Sequence, residues 1–225
     1  MPTFLRLILM LVVACVLPTV LGACNIVAPV ALLVHGPAKT EAMFTLPPDK
    51  PVVVFIDDRN SVLPSRAIRQ RIAKEAEKTL VEGKVLTADL ISSDAILPVA
   101  ASERFSKPKS IAEIGRTVGA KTIIYATVDT FTLTVNGAEY SPLARLRVKV
   151  IDAEDEKRLW PSIDKDAAQQ WYPLEYSIPT KSAPLPRNGS ERTLAEQNLA
   201  DRVGRALANL FIKHETREAN ERIGQ

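Results

Sequence analysis

Cysteine is almost absent from this chain. It has two, Cys15 and Cys24, and the first lies inside an apolar run. A disulfide framework is thereby excluded, and an exported form must be held by its core alone. The two histidines, His35 and His214, stand far apart with no second ligand at metal-binding spacing, so no metal and no cofactor is expected. The nine glycines form no phosphate loop in GxGxxG or Walker spacing. No serine sits in a Gly-x-Ser-x-Gly elbow. Aromatics are 5% of the residues, and no dense basic stripe interleaves with them, so no nucleic-acid partner is expected. An excess of one charge is missing too. Lys and Arg total 29 against 26 Asp and Glu, a formal +3, and the two signs alternate as on a solvated mixed surface.

What is present starts at the N-terminus. Arg6 precedes an apolar stretch from Leu7 to Val20, interrupted by Pro18 and Thr19, and Leu21-Gly22-Ala23-Cys24 follows. The stretch is nearer a signal-peptide core than the roughly 20 residues of a spanning helix. Small residues at 22 and 23 leave room for a peptidase, and the Cys24 thiol can take a diacylglyceryl group. The four residues resemble the lipobox of bacterial lipoproteins. That resemblance implies a signal peptide over 1–23, cleavage after Leu21, Gly22 and Ala23, and a mature chain beginning at lipidated Cys24, anchored to a membrane outside the cytoplasm. Asn25 resembles an outer-membrane sorting residue, since aspartate at that place retains proteobacterial lipoproteins in the inner membrane. A plain secretory signal and an uncleaved anchor are the alternatives.

Cleavage would leave about 200 residues, which suits one domain with tails. Segment 24–50, with Pro29, Pro37, Pro47 and Pro48, reads as a lipid-anchored tether. A single α/β domain is expected over 51–214, with a Pro-rich insertion at 161–190 and a charged tail at 215–225. Pro51 to Asp58 reads as a buried central strand. Ser65 caps a helix to about Val81 with Ile68, Ile72, Ala76 and Leu80 on one face. Val85–Ile91 is a weaker strand, followed by a short helical turn capped at Ser93-Asp94. Ser110 and Glu113 have capping-box spacing for a helix over Ile111–Val118. Strands are expected over Lys121–Val135, Ala144–Asp152 and Arg158–Trp160. In the second of these, Leu146, Val148 and Val150 alternate with Arg145, Arg147 and Lys149, which predicts one face in water. The strongest helical pattern runs from Thr193 to His214.

The order βαβαβββα predicts an α/β fold, a mixed sheet of about five strands backed by helices. Right-handed crossovers predict the first two helices on one face, with the C-terminal helix joining them. Two segments extend this reading. Ile111 to Val128 carries a helix ending in a Gly119-Ala120 pair before a strand. Val148 to Trp160 carries a strand, Asp152, a turn and a strand ending in tryptophan. Both resemble phrases of envelope lipoproteins built on the TolB N-terminal-domain fold. These include the curli secretion-channel lipoprotein, lipoprotein activators of penicillin-binding proteins and the Pel polysaccharide-export lipoprotein. The resemblance implies a TolB-N-like domain with a role in envelope assembly or export. The chain departs from that family in its Glu154-Asp155-Glu156 turn, where glycine is usual, and in its Pro-rich insertion.

Few residues invite chemistry. Asp57 and Asp58 end a strand where α/β sheets bind ligands, but no third ligand or nucleophile lies near them in sequence, so they are weak candidates. Trp160, Trp171 and Tyr172 are interface candidates, with a core role as the competing reading for each. The expectation is a non-enzymatic, periplasm-facing lipoprotein that acts by protein interaction, with an unidentified envelope partner or further copies of itself. A small envelope hydrolase or ligand-binding protein using Asp57 and Asp58 is the rival.

Overall fold

Val52-Val53-Val54-Phe55-Ile56-Asp57 forms strand β1 in a computed structural model of the protein, with all six residues buried. Residues 39–101, 109–162, 170–178 and 184–215 are described. The chain divides into two compact units, Met1–Thr40 and Glu41–Gln225. Of the first, only Lys39 and Thr40 are described, and they are extended. Leu21, Gly22, Ala23, Cys24, the rest of the chain before residue 39, and the tail from residue 216 lie outside the described residues. The second unit is a six-stranded sheet with helices on both faces, which matches the expected α/β class.

β1 alternates between two cores. Val52, Val54 and Ile56 point to one, and Val53 and Phe55 to the other. Helix α1 (Arg66–Glu82) begins where the Ser65 side chain accepts the Ile68 N–H, and it buries Ile68, Ile72, Ala73, Ala76 and Leu80. It is followed by Gly83, where a Cβ would stand 2.7 Å from Ile212 Cγ2. Packing, not backbone conformation, demands glycine here. The next strand, β2 (Leu90–Ile91), is shorter than the pattern suggests. The reason is local: the Thr87 and Ala88 N–H groups both donate to the Pro48 carbonyl instead of joining a ladder. A 3-10 turn (Ser93–Ala95), α2 (Ile96–Ala101) and α3 (Ile111–Thr117) follow. The Ser110–Glu113 capping box forms with both of its bonds.

β1 runs parallel to β2 on one side and to β3 (Thr122–Thr132) on the other. That order corrects one expectation. The crossover from β1 to β2 and the crossover from β2 to β3 travel in opposite directions, so crossovers of one hand place α1 and α3 on opposite faces. α1 shares its core with the C-terminal helix α4 (Gly189–Asn209), while Ile114 of α3 lies on the other face. α1 and α4 approach closely at Gly204, where a Cβ would meet the Ile72 carbonyl oxygen at 2.5 Å.

β3 pairs antiparallel with β4 (Leu143–Asp152) through a bulge between Val128 and Thr130. The extra residue, Asp129, inverts the alternation. Ile124, Ala126 and Val128 face the α1/α4 core before it, and Phe131 does so after it. The outer edge of β4 is shared. β5 (Arg158–Trp160) pairs along Val150–Ile151, and β6 (Tyr172–Ser177) pairs along Leu143–Val148. β6 lies inside the segment expected as a Pro-rich insertion, 161–190. Its apolar residues Leu174 and Tyr176 are buried with Tyr172 packed alongside, and the prolines hide that alternation. Ile178 donates its N–H inward to Pro142, so by alternation Pro173 faces outward at the sheet edge, where its missing donor costs nothing.

The chain ends are stitched to this frame. α4 stops at Asn209, short of His214, because Leu210, Phe211 and Ile212 turn into the core. The Leu210 carbonyl accepts from the N–H groups of Met43 and Phe44. Residues 41–50, assigned to the tether in the sequence, therefore pack on the domain, with Leu46 in the core. Lys50 Nζ donates to Asp152 Oδ2 at 2.7 Å, and Asp152 Oδ1 accepts from the backbone of Glu154 and Asp155. Burial opposes the Asp152 charge, but the Lys50 bond and the two backbone donors outweigh it and hold the carboxyl below its ordinary value.

Two outcomes follow from this packing. Gly204→Ala should lower unfolding free energy by about 1–3 kcal/mol, because the contact to be relieved is with backbone; urea titration reads the change in midpoint. Asp152 has a depressed folded-state pKa, so its contribution is present above the ordinary carboxyl value and is lost as pH falls through the lower folded value. Asp152→Asn should therefore cost about 1–3 kcal/mol at pH 7 and lose that difference in acid, which thermal melts at pH 7 and below pH 3 would compare.

Candidate functional site

The two acids at the end of β1 separate. Asp58 is consumed by its turn: Oδ1 accepts the Val62 N–H at 2.7 Å and Oδ2 the Leu63 N–H at 3.1 Å. Asp57 continues the alternation of Val53 and Phe55 and lies on the α3 face. Its Oδ2 accepts the Tyr125 hydroxyl at 2.5 Å and Arg59 Nε at 2.6 Å. Asp57 and Asp58 thus do not converge as an acid–base pair, and both already hold donors.

Around Asp57 the structure assembles residues from distant segments. Phe55 and Tyr125 pack as tilted rings, 5.4 Å between centroids, and Tyr125 meets Trp171 at 5.7 Å. Lys149 Nζ sits 4.1 Å from the Trp171 centroid and 5.3 Å from that of Tyr125. The Arg147 guanidinium carbon lies 5.2 Å from the Trp171 ring. Register explains the cluster. Phe55 is opposite Tyr125, Tyr125 is opposite Lys149, and Trp171 precedes the pair Tyr172–Val148. All four therefore fall in one row across the sheet.

The three aromatic interface candidates part company. Trp160 is 8% exposed and belongs to the α1/α4 core, 4.7 Å from Tyr172 and 5.8 Å from Phe211 between centroids. Tyr172 points to that core as well. Trp171, one residue earlier in an extended chain, points to the opposite face and stays half-buried beside Lys149.

α2 and α3 cover only part of this face. Beyond Tyr125 it is open: Asp129, Arg145, Arg147, Pro173 and Glu175 are all exposed. Its charges are mostly matched. Arg147 grips Asp129 through two nitrogens at 2.8 and 2.9 Å, Arg145 Nε donates to Glu175 at 2.8 Å, and Arg59 holds Asp57. Lys149 and Arg158 differ. Among the described residues neither is paired with a carboxylate. Arg158 Nη1 donates to the Gln170 carbonyl at 3.0 Å, and its Nε is buried with no hydrogen-bond partner among the described residues. Burial, then repulsion from Arg158 and Arg59, lowers the Lys149 ammonium pKa. The Tyr125 phenol is pushed well above its ordinary value by burial and by the Asp57 carboxylate it donates to.

Tyr125, Lys149, Arg158 and Arg59 were not singled out in the sequence. Lys149 looked like one more solvated residue of an alternating strand. The available signal was Ile151, the next residue on that same face, which is 8% exposed and shows that the face does not stay wet.

Among the described residues, no helix is long and apolar enough to cross a membrane, and no group of three His, Cys, Asp or Glu residues is placed to hold a metal ion. No protein-family model matches the chain, and no curated protein matches it. Several solved structures are similar to it. The PelC dodecamer from Paraburkholderia phytofirmans is 15% identical, over 76% of this chain and 95% of that one, with a TM-score of 0.40. The protein CT253 from Chlamydia trachomatis is 18% identical, over 71% and 93%, with a TM-score of 0.44. Lipoprotein GNA1162 from Neisseria meningitidis is 9% identical, over 69% and 98%, with a TM-score of 0.42. Identity this low carries no residue's role from those proteins to this chain.

The Lys149 environment has a measurable cost. Its folded-state pKa is depressed, so the folded protein is penalised while Lys149 is charged, and stability rises as pH climbs through the folded value toward 10.5. Attraction to the two rings offsets part of this, about 0.5–2 kcal/mol. Methionine would keep a sulfur against the aromatic rings and remove the charge. Lys149→Met should accordingly raise Tm by about 1–3 °C at pH 7. A fall in Tm by circular dichroism would mean that ring attraction outweighs desolvation.

Proposed function

We propose that this protein is a non-enzymatic, lipid-anchored lipoprotein of the bacterial envelope that works as a protein-interaction or assembly module, facing the periplasm from the outer membrane. The observation that carries the interaction half of this reading is the margin between the covered and the open part of the sheet. It is a partly covered face on which two cations, Lys149 and Arg158, are held without acid partners among the described residues, beside a half-buried tryptophan. A monomer with nothing to bind gains little from keeping such a surface, whereas aromatic and arginine side chains are the usual anchors of interfaces.

The address rests on Leu21-Gly22-Ala23-Cys24 after the apolar run, with Asn25 beside it. Acylation at Cys24 would confine the domain to a membrane surface. Confinement raises the effective concentration toward a membrane-bound partner without any new contact, so a modest interaction surface suffices. Further copies of the chain are one class of partner and other envelope proteins are another. The hydrolase alternative loses support, because Asp57 is held by Tyr125 and Arg59 and Asp58 by its own turn.

The test is mass spectrometry of the protein from the membrane fraction, paired with Cys24→Ala. The expected result is a mature N-terminus at Cys24 carrying acyl chains, with both the lipid and the membrane association lost in the variant. An unmodified or uncleaved N-terminus would overturn the anchored reading.

A further inference from the structure

Three of the cations on the open sheet face have their own acids. Arg145 holds Glu175, Arg147 holds Asp129 and Arg59 holds Asp57. Among the described residues two do not, and they are neighbours. Lys149 lies on β4 and Arg158 on β5, the strand paired with it. The register shift between Val150 and Ile151 brings Arg158 opposite Ile151, two residues along from Lys149. Both are recessed. Lys149 is half-buried against Trp171 and Tyr125, and Arg158 Nε is shielded from solvent without a hydrogen-bond partner among the described residues. A buried donor left unmade is costly, and so is a desolvated cation without a counter-charge.

We propose that Lys149 and Arg158, set beside Trp171 at the margin between the covered and the open part of the sheet, form a carboxylate-binding subsite that takes a projecting aspartate or glutamate side chain of a partner protein. The charge calls for an anion. The fork of Arg158 suits a planar carboxylate, and the ammonium of Lys149 supplies a second contact from the neighbouring strand. The recess selects the kind of anion. A flat anionic surface such as a bilayer reaches a half-buried ammonium packed on two rings poorly, whereas a carboxylate on one or two methylenes can enter, with the methylenes lying against the Trp171 ring. Arg147, already neutralised by Asp129, lies over the same Trp171 ring. The subsite deepens the interaction reading above and rests on it for its partner.

The experiment is fluorescence anisotropy of a fluorescein-labelled, end-blocked pentaglutamate peptide titrated with the purified full-length chain at physiological ionic strength. Saturable binding is expected. Lys149→Met and Arg158→Gln should each weaken it by about tenfold or more, as for loss of a hydrogen bond to a charged group. Arg145→Gln removes a charge from the same strand and face and should change binding less than twofold. Retained or raised Tm in Lys149→Met separates lost binding from lost folding. Equal loss in Lys149→Met and Arg145→Gln would reveal general charge attraction and overturn the subsite. So would Lys149-dependent binding to phosphatidylglycerol vesicles without peptide binding. Binding only after Asp164→Asn and Asp166→Asn would assign the pair to an acid of this chain itself, and the partner proposal would fall. Peptide binding does not require acylation. Lys149-dependent binding with an unmodified Cys24 would therefore sink the membrane address and spare the subsite, and an acylated chain that binds no peptide would do the reverse.

Discussion

Burial of β1 on both faces is the constraint from which the rest of the domain follows. Val52 to Asp57 has strands on both sides and a hydrophobic core above and below. Because β2 and β3 flank it, the two crossovers diverge and each face of the sheet receives its own helices. The same burial reaches the last residue of the strand. Asp57 is a carboxylate at 9% exposure, and a charge there must be met. Tyr125 and Arg59 meet it, and the position of Tyr125 in turn seats Lys149 and Trp171 in the same row. The polar cluster is thus a consequence of where a hydrophobic strand ends.

The two faces are covered unequally. On one, α1 and α4 run close enough for a glycine at 204 to be necessary, and they seal a core that includes Trp160 and Phe211. On the other, the short helices α2 and α3 cover Val53, Phe55 and Ile123 but leave the outer parts of β3, β4 and β6 open. A sheet face in water needs polar residues, and this one has them, mostly joined as cross-strand ion pairs. Pairs of that kind on an exposed surface contribute little to stability. What they do is neutralise Arg145, Arg147 and Arg59 locally, so that, among the described residues of this face, Lys149 and Arg158 are the cations left without an acid.

Membrane anchoring and a small recessed subsite complement each other physically. An isolated carboxylate contact between proteins in free solution gives weak affinity, because association must first overcome lost translational and rotational freedom. A lipid at Cys24 would remove much of that loss beforehand for a partner in the same envelope. Retaining a cation against the stability of the domain is the kind of local conflict that folded proteins keep where function needs it.

Local chemistry was enough to read much of the fold. The β-branched run of β1, the Ser65 cap with its apolar stripe, the Ser110–Glu113 box and the alternation of β4 each state their conformation through neighbours a few residues away. These signals also gave the α/β class. What they could not give is which side of β1 receives β2, and hence which face receives α3, because that choice is made by strand neighbours and not by any short segment. They could not reveal β6, whose inward residues are interrupted by a proline that only an edge position tolerates. Nor could they show that Trp171 and Tyr172, adjacent in sequence, serve opposite faces. The candidate site was illegible for the same reason. Asp57, Tyr125, Lys149, Arg158 and Trp171 come from separate strands or the segments beside them, and only the lateral register of the sheet brings them within reach of one another.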